Sequence, residues 1–181
     1  MPVGQAPHRE LAEDPGGDVR AWLCERAVSG DPRLSVSRVE VDRRGPSYTL
    51  DTLRLLRELA PEDELTLVLG ADQAAALASW HEPEEVLGLA RVGVASREGL
   101  ECEAVLRRLD TLPAAGRLDF FDMPRIDVSS SLVRERVACG RPIRYLVPDE
   151  VVGAIAAERL YAASTAPRAD AGATPSSVWH G

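Results

Sequence analysis

An α/β fold built on a doubly wound, Rossmann-like parallel sheet (three layers, αβα) is what this sequence predicts, on two observations. Segments with strand periodicity are followed by segments with helical periodicity, the order that crossover connections require. The run Leu65-Thr66-Leu67-Val68-Leu69 is also apolar enough to be covered on both faces, as parallel strands are.

The elements follow in order. Trp22, Leu23 and Ala27 predict a helix over 20–28, entered from the turn Asp14-Pro15-Gly16-Gly17-Asp18. Residues 34–41 alternate apolar and polar, which predicts a strand with one buried face. Leu50, Leu53, Leu56 and Ala60 then recur at helical spacing, and Pro61 with Glu62-Asp63-Glu64 stops that helix. After the strand at 65–69 come an alanine-rich helix over 72–79 and a second over 83–90. A strand over 91–96, a helix over 102–109 and a strand over 118–123 follow, and helices over 130–139 and 149–161 close the fold. Residues 1–161 thus read as one domain, and 162–181 as an aperiodic tail expected to be disordered. Such domains usually open with a buried strand and a glycine-rich turn. This one opens with a Pro/Gly loop and a helix, as if joined one βαβ unit late.

Composition narrows the function. The chain has 181 residues, 45% hydrophobic and 28% charged, which suits one folded domain. No apolar run reaches the length of a membrane span, and the first residues lack the regions of a signal peptide, so a cytoplasmic protein is expected. A net charge of −8 argues against a general nucleic-acid binder. All 21 basic residues are arginine, so any phosphate-binding cation here is a bidentate guanidinium. Cys24, Cys102 and Cys139 lack CxxC spacing and read as reduced thiols, not a zinc site. A dinucleotide fingerprint, a P-loop, a serine nucleophile elbow and a paired-histidine metal motif are all missing from the sequence.

Ligands of such sheets bind beyond the carboxyl ends of the strands, so the residues there carry the chemistry. Gly70-Ala71-Asp72 offers close backbone approach and an acid for a ribose hydroxyl or hydrated Mg²⁺, or simply a turn with Asp72 as N-cap. Ser129-Ser130-Ser131 at a helix start, with Arg134 one turn in, supplies hydroxyls, free N–H groups and a cation. A cap needs one hydroxyl only, so the triplet favours phosphate binding. In Gly45-Pro46-Ser47-Tyr48-Thr49-Leu50-Asp51, Thr49 suits an N-cap and Asp51 the helix dipole, while the turn's N–H groups face the same crevice. Trp80 either stacks on a flat ring or covers the core edge. His81, Arg97 and the His8-Arg9 pair are each either crevice or surface residues.

Taken in order, these pieces resemble the bacterial nicotinate-nucleotide adenylyltransferases of the HxGH nucleotidyltransferase superfamily. Residues 2–9 are similar to the PxxxPPHK loop, 45–53 to the GPSYTxDTL segment, and 128–134 to ISSTxIR. Gly70-Ala71-Asp72, Trp80-His81 and Arg144-Tyr145-Leu146-Val147-Pro148 complete a resemblance over about residues 2–161. It implies transfer of AMP from ATP to nicotinate mononucleotide, giving deamido-NAD and pyrophosphate, in NAD biosynthesis. It puts ATP on Gly70, Asp72, Ser129, Ser130, Ser131 and Arg134, with Mg²⁺ carried by its phosphates. It puts nicotinate mononucleotide on Arg9, Tyr48, Thr49, Trp80, His81 and Arg97: Trp80 stacks on the ring, and the N–H groups of Thr49 and His81 take its carboxylate. Arg9 stands where the family has lysine, and Arg97 opens Arg97-Glu98-Gly99 where the family has RPG.

The family's first strand and its GGxFDPxHxGH loop have no counterpart among these residues, whose only histidines are His8, His81 and His180. The expectations are therefore an N-terminally truncated enzyme with no catalytic histidine pair, inactive and poorly stable as it stands. A pantetheine-phosphate adenylyltransferase and a non-catalytic nucleotide-binding remnant are the alternatives. The oligomeric state, a homo-oligomer included, is not fixed by the sequence.

Overall fold

The computed structural model describes residues 1–5, 14–96, 101–112 and 116–162. The elements are α1 (Gly17–Val28), α2 (Thr49–Leu59), β1 (Thr66–Gly70), α3 (Ala71–Ala75), α4 (Pro83–Leu89), β2 (Arg91–Ser96), α5 (Glu101–Arg108), β3 (Leu118–Asp122), α6 (Ser130–Ala138) and α7 (Asp149–Ala157). The three strands form a parallel sheet in the order β1-β2-β3, flanked by helices. Leu67 lies beside Val92 and Val92 beside Leu118, and the next inward row joins Leu69, Val94 and Phe120. Against this face pack Leu50 and Leu53 of α2, Ala74 of α3, Val86 and Leu87 of α4, and Val105 of α5.

The other face follows from the period of two. Thr66, Val68, Gly93 and Phe121 point there, and Val68 and Phe121 are 63% and 42% exposed. A second, smaller apolar cluster joins Val133 of α6, Val151 and Ile155 of α7, and Ile143 of the turn between them, with Leu23 of α1 against it. α1 packs on α7.

The structure corrects several sequence expectations. Residues 34–41 form extended chain and turns, not a strand. A strand exists only through its ladder, and no strand among the described residues pairs with this segment: the bond from Asp42 N–H to the Arg38 carbonyl (2.9 Å) closes a turn, and none of the segment's side chains is fully buried. The alanine-rich helix breaks at Ala76, whose N–H is shared between the carbonyls of Asp72 and Gln73, and a 3₁₀ turn follows at Leu77–Ser79. That tighter turn drives Leu77 fully into the core. α7 ends at Ala157, not 161, because Arg159 and Tyr161 take positive φ. The tail beyond residue 162 lies outside the described residues.

The amino-terminal residues are stitched to the turn before α2. Ser47 Oγ accepts from the N–H groups of Gly4 and Gln5 (3.2 and 3.3 Å), and Ser47 N–H donates to the Gln5 carbonyl at 2.8 Å. The seam is tight: a Cβ on Gly4 would lie 2.0 Å from the Glu40 carbonyl oxygen. Backbone cannot retreat as a side chain can, so Gly4→Ala is expected to cost about 1–3 kcal/mol. Urea denaturation reads this directly, and a variant as stable as the parent would refute the close approach.

Candidate functional site

All three strands run the same way, so their carboxyl ends share one end of the sheet. β1 ends at Gly70, where a Cβ would meet nothing within 4 Å, so the chain is open to a ligand there. Gly70 itself is the N-cap of α3; Asp72 is not the cap but stands exposed in the first turn. No arginine among the described residues pairs with it. β2 ends at Ser96, which is 2% exposed and shares a 3.2 Å hydrogen bond with Asp122 Oδ1 at the end of β3. Sequence reading passed over this pair. The signal was present, because Ser96 continues the inward row of Val92 and Val94, where a polar side chain requires a partner.

β3 leads through the exposed residues 123–129 to α6. Ser129 is the N-cap, its hydroxyl accepting from Leu132 N–H at 3.1 Å, a contact worth about 1 kcal/mol. Ser130 and Ser131 are exposed in the first turn, and Arg134 Nη2 donates to Ser131 Oγ at 3.3 Å. One hydroxyl caps the helix while the other two stay at its positive end beside a guanidinium that has no carboxylate partner among the described residues. Ser129, Ser130 and Arg134 form the polar rim of a cavity of about 290 Å³ floored by Leu23, Val133, Val151 and Ile155. An anion at the rim would meet N–H dipoles, hydroxyls and a cation together.

A second group assembles at the start of α2. Tyr48, not Thr49, is the N-cap, and Thr49 is the first helical residue. Tyr48 makes no side-chain cap, because a phenol cannot reach its own helix's N–H groups as a short hydroxyl can. Its ring instead meets the His81 imidazole at 4.9 Å between centroids, tilted by 42°. Trp80 is half-buried against the main core and His81 is exposed. Arg43 holds Asp51 at 2.7 Å, which locks the approach to the helix. Arg9 and Arg97 lie outside the described residues. No hydrogen bond among the described residues joins this group to the serine helix.

One cluster near the serine helix was not visible in sequence. Arg20 of α1 donates to the carbonyls of Val3 (2.6 Å) and Gly4 (3.0 Å) and pairs with Asp14. Its Nε is buried without a partner. The Arg20 hydrogen bond holds the Asp14 carboxyl below its ordinary range, with smaller contributions from the Gly16 N–H and from Arg20 and Arg134 charge. A carboxyl depressed in the folded state stabilises the fold above its unfolded pKa, and that contribution fades as pH falls through the lower folded value. Asp14→Asn is therefore expected to flatten the acid limb of the melting temperature below about pH 4. Parallel acid limbs in variant and parent would refute it.

Comparison with known proteins gives these groups a context. A cytidylyltransferase-like family model matches residues 2–136. A probable nicotinate-nucleotide adenylyltransferase of Roseiflexus sp. (strain RS-1) is 41% identical over 163 residues, covering 89% of this chain and 80% of its own length. That of Roseiflexus castenholzii is 43% identical over 162 residues, covering 86% and 80%. The chain belongs to the nicotinate-nucleotide adenylyltransferase family. The fold agrees: Plasmodium falciparum nicotinic acid mononucleotide adenylyltransferase complexed with NaAD superposes with a TM-score of 0.61 at 16% identity, over 87% of this chain and 78% of that one. The same protein complexed with APC gives 0.58. No described helix is long and apolar enough to cross a membrane.

Proposed function

We propose that this chain transfers AMP from ATP to nicotinate mononucleotide, as the names of its relatives describe for those proteins. The observation that carries the reading is the serine helix: Ser129, Ser130 and Arg134, whose guanidinium has no carboxylate partner among the described residues, rim a cavity at the helix N–H groups, and Arg134 also donates to Ser131 Oγ. An oxygen of the mononucleotide phosphate attacks the α-phosphorus of ATP. The bond from that phosphorus to the bridging oxygen breaks, and pyrophosphate leaves with its electron pair. No protein nucleophile is required, so the chain's task is positioning and neutralising charge. Ser130, Ser131 and Arg134 grip the ATP phosphates, Gly70 lets backbone close on the nucleotide, and Asp72 meets a ribose hydroxyl. Tyr48, Thr49, Trp80 and His81 form the mononucleotide side, joined by Arg9 and Arg97. Mg²⁺ would arrive on the ATP phosphates and supply charge neutralisation there.

The alternative reading is nucleotide binding without turnover. One experiment separates the two. The chain is incubated with ATP, Mg²⁺ and nicotinate mononucleotide, and both pyrophosphate and deamido-NAD are measured. Turnover establishes the first reading. Saturable binding of both nucleotides without product establishes the second, and binding of neither overturns both. Pantetheine phosphate as the alternative acceptor is expected to give nothing.

A further inference from the structure

Arg20 of α1 reaches separate pieces of chain with one guanidinium. Its Nη2 donates to the carbonyls of Val3 at 2.6 Å and Gly4 at 3.0 Å, and its Nη1 pairs with Asp14. The amino-terminal residues so held lie against the turn before α2. Ser47 Oγ accepts from the N–H groups of Gly4 and Gln5, and Ser47 N–H donates to the Gln5 carbonyl. Tyr48 comes next, and Thr49 is the first residue of α2. This turn has no slack. Arg43 Nη2 donates to the Pro46 carbonyl at 3.0 Å, and Thr52 N–H donates to the Tyr48 carbonyl at 3.3 Å. On the other side, Gly4 lies so close to the Glu40 carbonyl that a Cβ would not fit. A shift of residues 3–5 is therefore passed on to Ser47 and not absorbed, as close packing requires. Arg20 is 17% exposed, and its Nε is buried with no partner among the described residues. A buried donor without a partner costs stability. What offsets that cost is reach, since a planar fork serves two carbonyls and a carboxylate at once.

We infer that Arg20 is a positioning residue for the mononucleotide side of the site, acting through residues 3–5 and Ser47 on the start of α2. The inference rests on the mononucleotide reading above. Among the described residues Arg20 makes no hydrogen bond to Tyr48, Thr49, Trp80 or His81. It fixes the amino-terminal residues, these fix Ser47, and Ser47 fixes where the helix start presents Tyr48 and Thr49 to the ligand. Binding that depends on placement weakens when the placement slackens. The serine helix is off this route, because no hydrogen bond among the described residues joins Ser129, Ser130 or Arg134 to residues 3–5 or to Ser47. ATP affinity is thus the internal control. Arg134 charge is felt at Asp14, so the test must keep a positive charge at residue 20.

The test is calorimetric titration of the full chain with nicotinate mononucleotide and, separately, with ATP. It compares the parent, Arg20→Lys, Ser47→Ala and the double variant. Lysine keeps the charge beside Asp14 but lacks the fork, so it cannot hold both carbonyls and the carboxylate together. It also removes the unpaired Nε, so the melting temperature should stay near that of the parent. Arg20→Lys and Ser47→Ala are each expected to weaken mononucleotide binding about tenfold and to change ATP binding less than about twofold. Because both act on one route, the double variant should lose about as much as either alone, not about a hundredfold. An unchanged mononucleotide affinity in Arg20→Lys overturns the inference. So does an ATP affinity that falls in step, which shows a general structural defect. Losses that multiply in the double variant also overturn it, since the two side chains then act independently. If Arg20→Lys does not fold, Ser47→Ala decides, and normal mononucleotide binding there overturns the route. A parent that binds no mononucleotide overturns the reading of the site, a result distinct from these, and the inference falls with it.

Discussion

Arg134→Ala is expected to weaken ATP binding about 10–100-fold, because charge-assisted hydrogen bonds to phosphate contribute about 1.5–3 kcal/mol. Among the described residues the guanidinium makes one hydrogen bond, to Ser131 Oγ, so its removal strands no buried charge there. It does not hold the cavity's apolar floor either, which comes from α1, α6 and α7. The loss should therefore appear in ATP affinity and leave the melting temperature nearly unchanged. Arg134→Lys should fall between, since an ammonium keeps the charge and loses the two-pronged geometry. Nicotinate mononucleotide binding, assigned to the other group of residues, should be unaffected. Titration of each variant with ATP and with the mononucleotide checks all three statements. An alanine variant that binds ATP as the parent does would remove Arg134 from the phosphate site.

The sheet was legible in sequence because its strands and helices bury different periods. Val92 and Val94 alternate with residues of the other face, while Leu50 and Leu53 recur along one helical stripe. The segment at 34–41 was misread for the same reason. Alternation says nothing about whether a neighbour completes the ladder, and without one Leu34 stays 56% exposed. Boundaries failed where one residue's conformation decided them, at Ala76 and at Tyr161, since composition does not encode a shared hydrogen bond or a positive φ. That Ser129 to Ser131 and Arg134 share one helix start was readable because they lie within six consecutive residues. Contacts between distant segments were not. Arg20 with Val3 and Gly4, and Tyr48 with His81, join residues that no spacing rule connects. Thr49 was read as the cap because its hydroxyl suits that position, yet tertiary contact of the Tyr48 ring took precedence over that local preference.

Leu77→Ala is expected to destabilise the protein by about 3–5 kcal/mol, the range for a leucine removed from a packed interior. Leu77 has no exposed surface and sits on the rigid 3₁₀ turn between α3 and Trp80, which cannot slide inward to fill a cavity. Single domains hold about 5–15 kcal/mol in all, so the variant should lose a large share of it and melt roughly 10 °C lower. Val68→Ala, at a site 63% exposed, should change stability by less than about 0.5 kcal/mol. The shape of the transition carries a further claim. Leu77 belongs to the sheet cluster, whereas Val133, Val151 and Ile155 form the other. The two share no buried residue, but a chain of hydrogen bonds links them: Arg20 of α1 holds Val3 and Gly4, and Ser47 before α2 holds Gly4 and Gln5. That seam couples the clusters, so Leu77→Ala should lower one cooperative transition seen alike by far-ultraviolet ellipticity and tryptophan fluorescence. Two transitions, with only one moved by the substitution, would show that the seam is too weak to unite them.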